Sequence, residues 1–447
     1  MRMLTPLLLG LLVLVSGCQK RDEASKTGLI YCAEGAPRTF NPQLANSDAT
    51  LDASARPIYD RLLEVNANTL GIEGGLATRW QSSEDGLSYT LTLRKGVTFH
   101  RTPWFSPTRH FNADDVLFTW QRLLDEHHPF HAVSGGEYPY FYSLGLGNLI
   151  KRVYKKGPYE VVFELNRPDA SFLATLASDY AIVLSAEYGE QMLKAGTPAL
   201  LDSRPIGTGP FSFKEYRHNE FVRYLRHPGY WGGEARMEQL IYDITPKSSK
   251  RLAKLLTGEC DVMSTPSASQ LSVIDKDSHL DLSVQSGMNV AFLALNTRKA
   301  PFNKVQVRQA LASAINVQNL LQAVYFETGQ SAASLLPPLS WGYNPSLPQR
   351  KPDLKLARQL LKDAGYPNGF EMQVLVQPGA RPYNPDGLKT AQLMRSDFAK
   401  IGVSLKIVQQ AWPVIETRLA HGQYDSLLSG WIADNADPDN FFRQLLS

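Results

Sequence analysis

From Met288 onward the sequence alternates between strand-like apolar runs and stretches of helical period, and few architectures accommodate that order. Residues 290–295 form an apolar run that predicts a strand, and 305–325 predicts a helix. Residues 354–364 predict a second helix, stopped by Gly365 with Pro367 just beyond. A strand over 371–376, a helix over 388–401 and strands over 403–408 and 424–431 complete the series. Alternating elements of this kind imply an α/β lobe.

The earlier part of the chain is less regular. Residues 29–32 predict a buried strand, and 51–65 a helix with Ile58, Leu62 and Leu63 on one face. Asp85-Gly86 is a turn dipeptide, after which Tyr89, Leu91 and Leu93 alternate with Thr90, Thr92 and Arg94, so a hairpin is expected. Asn112 can cap a helix carrying Val116, Leu117, Trp120, Leu123 and Leu124. Strands are expected over 159–165, 221–225 and 240–244, and a helix over 249–257, leading to Gly258-Glu259-Cys260. The Gly-rich stretch 207–213 lacks the Lys-Ser/Thr of a phosphate loop.

The first residues set the compartment. Arg2 precedes an apolar run over 4–15 that ends in Val15-Ser16-Gly17-Cys18. The run is too short to span a bilayer, and its layout is that of a signal peptide. Cys18 after Ser and Gly reads as a lipobox, making it the lipidated first residue of the mature chain; the alternative is an ordinary signal with an incidental Cys. Both readings export the protein to the periplasm. Residues 19–28 are polar and charged, as a tether requires, and Gln19 favours the outer membrane. Such an anchor attaches the protein to a membrane without spanning it. Cys32 and Cys260 then remain as an even pair in an oxidising compartment. A bond between them would contribute at most ~5 kcal/mol by loop-closure entropy and would make the first lobe discontinuous in sequence. Two separate buried thiols are the other reading.

Charge and motifs exclude several classes. The net charge is +3 with Lys and Arg scattered, so no basic face for nucleic acid is formed. There is no Gly-x-Ser-x-Gly elbow, no His-Glu-x-x-His and no dinucleotide fingerprint. His127, His128 and His131 lie close together, but Pro129 breaks any helical spacing, and a solvated loop is preferred to a metal site. Asp434, Asp437 and Asp439 lack the Gly and closing Glu of an EF-hand loop, so a helix N-terminus before Phe441, Phe442 and Leu445 is expected there. No metal, no cofactor and no enzyme activity are expected.

Several segments carry a resemblance. Leu76-Ala77-Thr78-Arg79-Trp80, Ser83-Glu84-Asp85-Gly86, LTLRKGVTFH, FNADDVLFTW, PIGTGPF at 205–211, GYW at 229–231, VRQALASAI at 307–315 and GWIADNADPDNFF at 430–442 follow one another along nearly the whole chain from Leu29. Together they closely resemble extracellular solute-binding proteins of the peptide/nickel family, the receptors of ATP-driven (ABC) importers. Within that family PWFSPTR at 103–109, LLTGECDV at 255–262 and the closing FFRQLLS resemble the Sap (sensitivity to antimicrobial peptides) branch, and ARPYNP at 380–385 the dipeptide branch.

The resemblance implies an α/β periplasmic-binding-protein fold of class II type, with two lobes around a cleft. Residues 29–58 and 209–286 would form lobe I, 59–208 a domain inserted in it, and 287–447 lobe II. It also implies a Cys32–Cys260 bridge. Family proteins continue beyond the position of Ser447, so the expected second lobe is incomplete. Asp434 is expected to receive a peptide's amino group and Arg381 its carboxylate, with Tyr383, Trp412 and Trp431 lining the pocket. A planar guanidinium suits a carboxylate through two parallel hydrogen bonds. Core packing is the alternative for each aromatic, a helix cap for Asp434 and a surface ion pair for Arg381. The expected function is capture of short peptides by a monomer that delivers them to a permease and ATPase complex. A Sap-type receptor for cationic antimicrobial peptides, haem or polyamines is the alternative.

Overall fold

The computed structural model describes residues 27–45, 47–433 and 435–446. The expected signal peptide, Cys18, residues 19–26 of the tether and Asp434 lie outside the described residues. Two compact units divide between Ser264 and Thr265, so residues 265–286 group with the second.

The strands of the first unit are β1 (Gly28–Ala33), β2 (Leu63–Val65), β3 (Ile72–Gly74), β4 (Ala77–Ser82), β5 (Ser88–Leu93), β6 (Ile150–Gly157), β7 (Glu160–Leu165), β8 (Phe211–Arg217), β9 (Phe221–Arg226), β10 (Gln239–Ile244) and β11 (Val262–Met263). One sheet has the order β11-β1-β10-β9-β8. In it β1 runs parallel to both β10 and β11, so the start of the described chain is held between segments more than 200 residues later. The Cys32–Cys260 disulfide closes this arrangement, with a Cα–Cα distance of 5.9 Å across a sequence separation of 228. A second sheet, β4-β5-β7-β6, is built wholly from 77–165. The alternation read in β5 is realised: Tyr89, Leu91 and Leu93 are buried and Thr90 and Thr92 less so. Asn112 caps the helix Ala113–Leu124 through a reciprocal capping box with Asp115.

The helix expected over 51–65 is different. A helix runs only over Asp48–Ser54, capped by Ser47, and the chain continues as turns over 55–58, where Ile58 N–H still donates to the Ser54 carbonyl at 3.1 Å. Ile58, Leu62 and Leu63 are still buried, but Leu63 lies in β2, paired with Gly74. The reason lies in the motifs at 205–211 and 229–231. A Cβ on Gly207 would sit 2.0 Å from the Ile58 carbonyl oxygen, so only glycine lets the two backbones meet. Beside that contact Asp60, almost fully buried, accepts hydrogen bonds from Thr208 Oγ1 at 2.8 Å, Tyr230 OH at 2.9 Å and Trp231 Nε1 at 2.8 Å. Gly209 donates its N–H to the Ile58 carbonyl at 2.9 Å. A continuous helix would remove this docking.

The histidine cluster has structural roles. His131 Nδ1 donates to the Arg122 carbonyl at 2.8 Å, and His128 packs edge-on against Phe118. Arg122 itself is fully buried and pairs with Asp202 through two bonds of 2.8 Å. Asn41 and Ser134 satisfy further acceptor positions of the same carboxylate, as a buried ion pair requires.

The second unit contains β12 (Asn289–Leu295), β13 (Glu371–Val376), β14 (Ser404–Gln409) and β15 (Ser426–Ile432) in the order β12-β15-β13-β14. Strand β13 is parallel to both neighbours, and β12 is antiparallel to β15. Its main core joins Val374 and Val376 of β13 to Leu311, Leu361 and Phe398 of the helices Val305–Ala314, Leu354–Asp363 and Gly387–Ala399. Gly365 ends the second of these at φ 88°, as its sequence position predicts. The helix expected over 305–325 is broken instead. It stops at Ala314, Ile315 is extended, Asn316 caps a short turn over Val317–Leu320, and a π-type turn follows over Leu321–Tyr325.

Candidate functional site at the carboxyl ends of three parallel strands

Strands β13, β14 and β15 run the same way, so the loops leaving their carboxyl ends emerge on one edge of the sheet. That edge is where open α/β sheets place ligands. The loop after β13 carries Arg381 and Tyr383, the one after β14 leads into Trp412, and Trp431 lies near the end of β15. Residues chosen from separate stretches of sequence therefore belong to one edge.

The β13 loop is tightly held. Arg381 and Asn384 exchange both backbone hydrogen bonds, each 2.9 Å, closing a turn around Pro382 and Tyr383. The buried Asn384 side chain accepts from Asp386 N–H at 3.2 Å and Thr390 Oγ1 at 3.1 Å, tying the turn to the helix Gly387–Ala399. Tyr325 OH donates to the Tyr383 carbonyl at 2.9 Å. Burial pushes the Tyr325 phenol up to about 12, so it stays a neutral donor. On this frame Arg381 is exposed, its Nε donating to Gln377 Oε1 at 2.9 Å. Among the described residues its guanidinium faces no carboxylate, which removes the surface ion pair as its explanation there.

Tyr383 is half-buried and lies over Gly430 of β15. The next residue, Trp431, points to the other face of the strand. There it packs with Val290, Phe292 and Phe441, and its Nε1 donates to Asn440 Oδ1 at 2.9 Å. The two rings are thus not brought onto one face. Trp412 opens the helix Trp412–Ala420 and is 39% exposed, so core packing does not account for it. That helix is seated by Ile415 against Leu375 and Leu427.

Asp434 lies outside the described residues, but its surroundings are anchored. Ala433 donates its N–H to Met288 O at 2.8 Å, and Asn435 Oδ1 accepts from Asp437 N–H at 3.0 Å. Asp437 in turn accepts from Asp439 N–H at 2.9 Å, at the start of the helix Asp439–Leu446. Among the described residues no group of three His, Cys, Asp or Glu side chains is placed to hold a metal.

Sequence reasoning missed Tyr325, Gln377 and Gly430. Gly430 opens the motif at 430–442 and Gln377 lies three residues before that at 380–385, but Tyr325 acts on a loop 58 residues away and leaves no local pattern.

Comparison with known proteins agrees with this architecture. The model of the bacterial extracellular solute-binding proteins, family 5, matches residues 71–447. The dipeptide-binding protein of Escherichia coli is 44% identical over 94% of this chain and 78% of its own length. The peptide transport periplasmic protein SapA of Salmonella typhimurium is 44% identical over 94% of the chain and 76% of its own length. A dipeptide-binding protein from Pseudoalteromonas, solved in complex with Met-Leu, superimposes with a TM-score of 0.82 at 45% identity, covering 93% of this chain and 82% of that structure. The chain belongs to the bacterial extracellular solute-binding proteins of family 5.

Proposed function

We propose that this protein is the solute-binding component of an ATP-driven peptide importer, taking short free peptides at the carboxyl edge of β13, β14 and β15 and passing them to a membrane permease. The observation that carries the reading is Arg381: an exposed guanidinium on a rigid turn, with no carboxylate facing it among the described residues. A peptide carboxylate leaving water needs such a partner, because an unpaired charge is costly to bury. Asp434 supplies the opposite charge for the ammonium end, and Tyr383 and Trp412 give apolar walls that tolerate different side chains, while Trp431, packed on the opposite face of β15, is left to core packing. The dipeptide and Met-Leu descriptions of the relatives support the same ligand class. Cys18 anchors the monomer to the membrane by lipid on this reading.

The SapA relative, at the same 44% identity, keeps open a second reading as a Sap-type receptor, whose ligand would be a cationic antimicrobial peptide, haem or a polyamine. An exposed Arg on the ligand edge favours an anionic group over a polycation. Mass spectrometry of ligand released by denaturing the purified protein separates the two. Short peptides with free termini are expected; haem, polyamines or long basic peptides would overturn the proposal.

A further inference from the structure

We infer that Gln377 is a positioning residue that fixes how Arg381 presents its guanidinium, and so selects ligands with a free carboxylate approaching end-on. The inference rests on the reading of Arg381 as the carboxylate receptor.

Both ends of the contact are built on fixed backbone. Gln377 directly follows β13, whose last residue, Val376, accepts the Gln410 N–H at 3.0 Å. Arg381 sits in the turn closed by its two bonds to Asn384. Between them, Pro378 and Gly379, the latter at φ 85°, bring the chain round so that Gln377 Oε1 meets Arg381 Nε–H at 2.9 Å.

The chemistry of that bond is selective. A guanidinium can meet a carboxylate side-on, through Nε and one Nη, or end-on, through both Nη groups. Gln377 occupies Nε–H, so the side-on fork is closed and the end-on fork faces outward. An amide oxygen does this without adding a negative charge, so the full positive charge is left for the ligand. It also removes rotational freedom from a long side chain before the ligand arrives.

Calorimetry with Met-Leu and its C-terminal amide tests this on the normal protein, Gln377→Met, Gln377→Asn, Arg381→Ala and the Gln377→Met/Arg381→Ala double variant. Methionine keeps the length and removes the acceptor; asparagine withdraws it by one methylene. Each single Gln377 change should weaken binding of the free peptide about three- to tenfold, leave the amide unaffected, and add nothing in the Arg381→Ala background. The melting temperature should stay unchanged, which excludes a general loss of structure. If amidation weakens binding to the normal protein but the Gln377 variants bind the free peptide as tightly, the role of Gln377 is wrong and the Arg381 reading stands. Equal losses for both ligands in the Gln377 variants also overturn the inference. If amidation costs nothing in the normal protein, the Arg381 reading itself fails.

Discussion

Tyr383 rests on Gly430: a Cβ at residue 430 would lie 2.3 Å from two carbons of the Tyr383 ring and 2.6 Å from the Val290 carbonyl oxygen. The loop bearing Arg381 and the strand leading to Asp434 are thereby fitted together through a missing side chain. Gly430→Ala must displace the ring or the backbone, and overpacking of this kind costs about 1–3 kcal/mol. We expect a lower melting temperature and at least tenfold weaker peptide binding. Unchanged affinity would separate Tyr383 from the ligand site.

Asp60 holds three donors from two distant motifs. Asp60→Ala leaves the buried Thr208 hydroxyl and the half-buried Tyr230 and Trp231 donors without their acceptor, and a loss of about 2–4 kcal/mol is expected in chemical denaturation. A loss below ~1 kcal/mol would show that the two motifs do not depend on this carboxylate.

His100 and His227 face each other, ring centroids 4.8 Å apart, and share the Gly209 carbonyl: His100 Nε2 lies 2.9 Å from it and His227 Nδ1 3.0 Å. Gly207 N–H donates to His100 Nδ1 at 3.2 Å, and the His227 Nε2 partner is Thr98 Oγ1 at 3.2 Å. Burial pushes His100 down to about 3, with His227 adding to the effect, and burial lowers His227 too. The unfolded chain therefore binds protons more readily than the folded one below the ordinary histidine value. Stability from His100 is present above about pH 6.5 and is lost as pH falls toward 3, about 2–3 kcal/mol of it by pH 4.5. Denaturation at pH 7 and pH 4.5 should show a smaller acid loss in His100→Gln than in the normal protein. Identical acid losses would contradict this.

The Cys32–Cys260 bond ties β1 covalently to a segment 228 residues away, in addition to its hydrogen-bonded pairing with β10 and β11. Reduction, or the paired change to Ala, should cost about 2–4 kcal/mol. Non-reducing peptide mapping should recover the two cysteines in one linked fragment; recovering them as free thiols would remove the bond.

Where partners are local, the sequence was readable. The period-two face of β5, the Asn112 cap and the Gly365 stop each depend on residues within a turn or two, and each is realised. The helices drawn over 51–65 and 305–325 failed for tertiary reasons. Asp60 and Ile58 are claimed by motifs some 150 residues away, and an extended Ile315 followed by the Asn316 cap interrupts the second helix. At the candidate site, motif resemblance singled out Arg381 and Tyr383, but not the Tyr325, Gln377 and Gly430 contacts that hold them. Those contacts join irregular segments, and no hydrophobic period marks them.

The central claim is that Arg381 and Asp434 hold the two charged ends of a short peptide. Calorimetry with Met-Leu, its N-acetyl form and its C-terminal amide, on the normal protein, Arg381→Ala and Asp434→Ala, tests it most directly. Each modification should weaken binding to the normal protein, and each variant should be about a hundredfold weaker for the free peptide while indifferent to the modification at its own end. Equal binding of free, acetylated and amidated peptide by the normal protein would contradict the account.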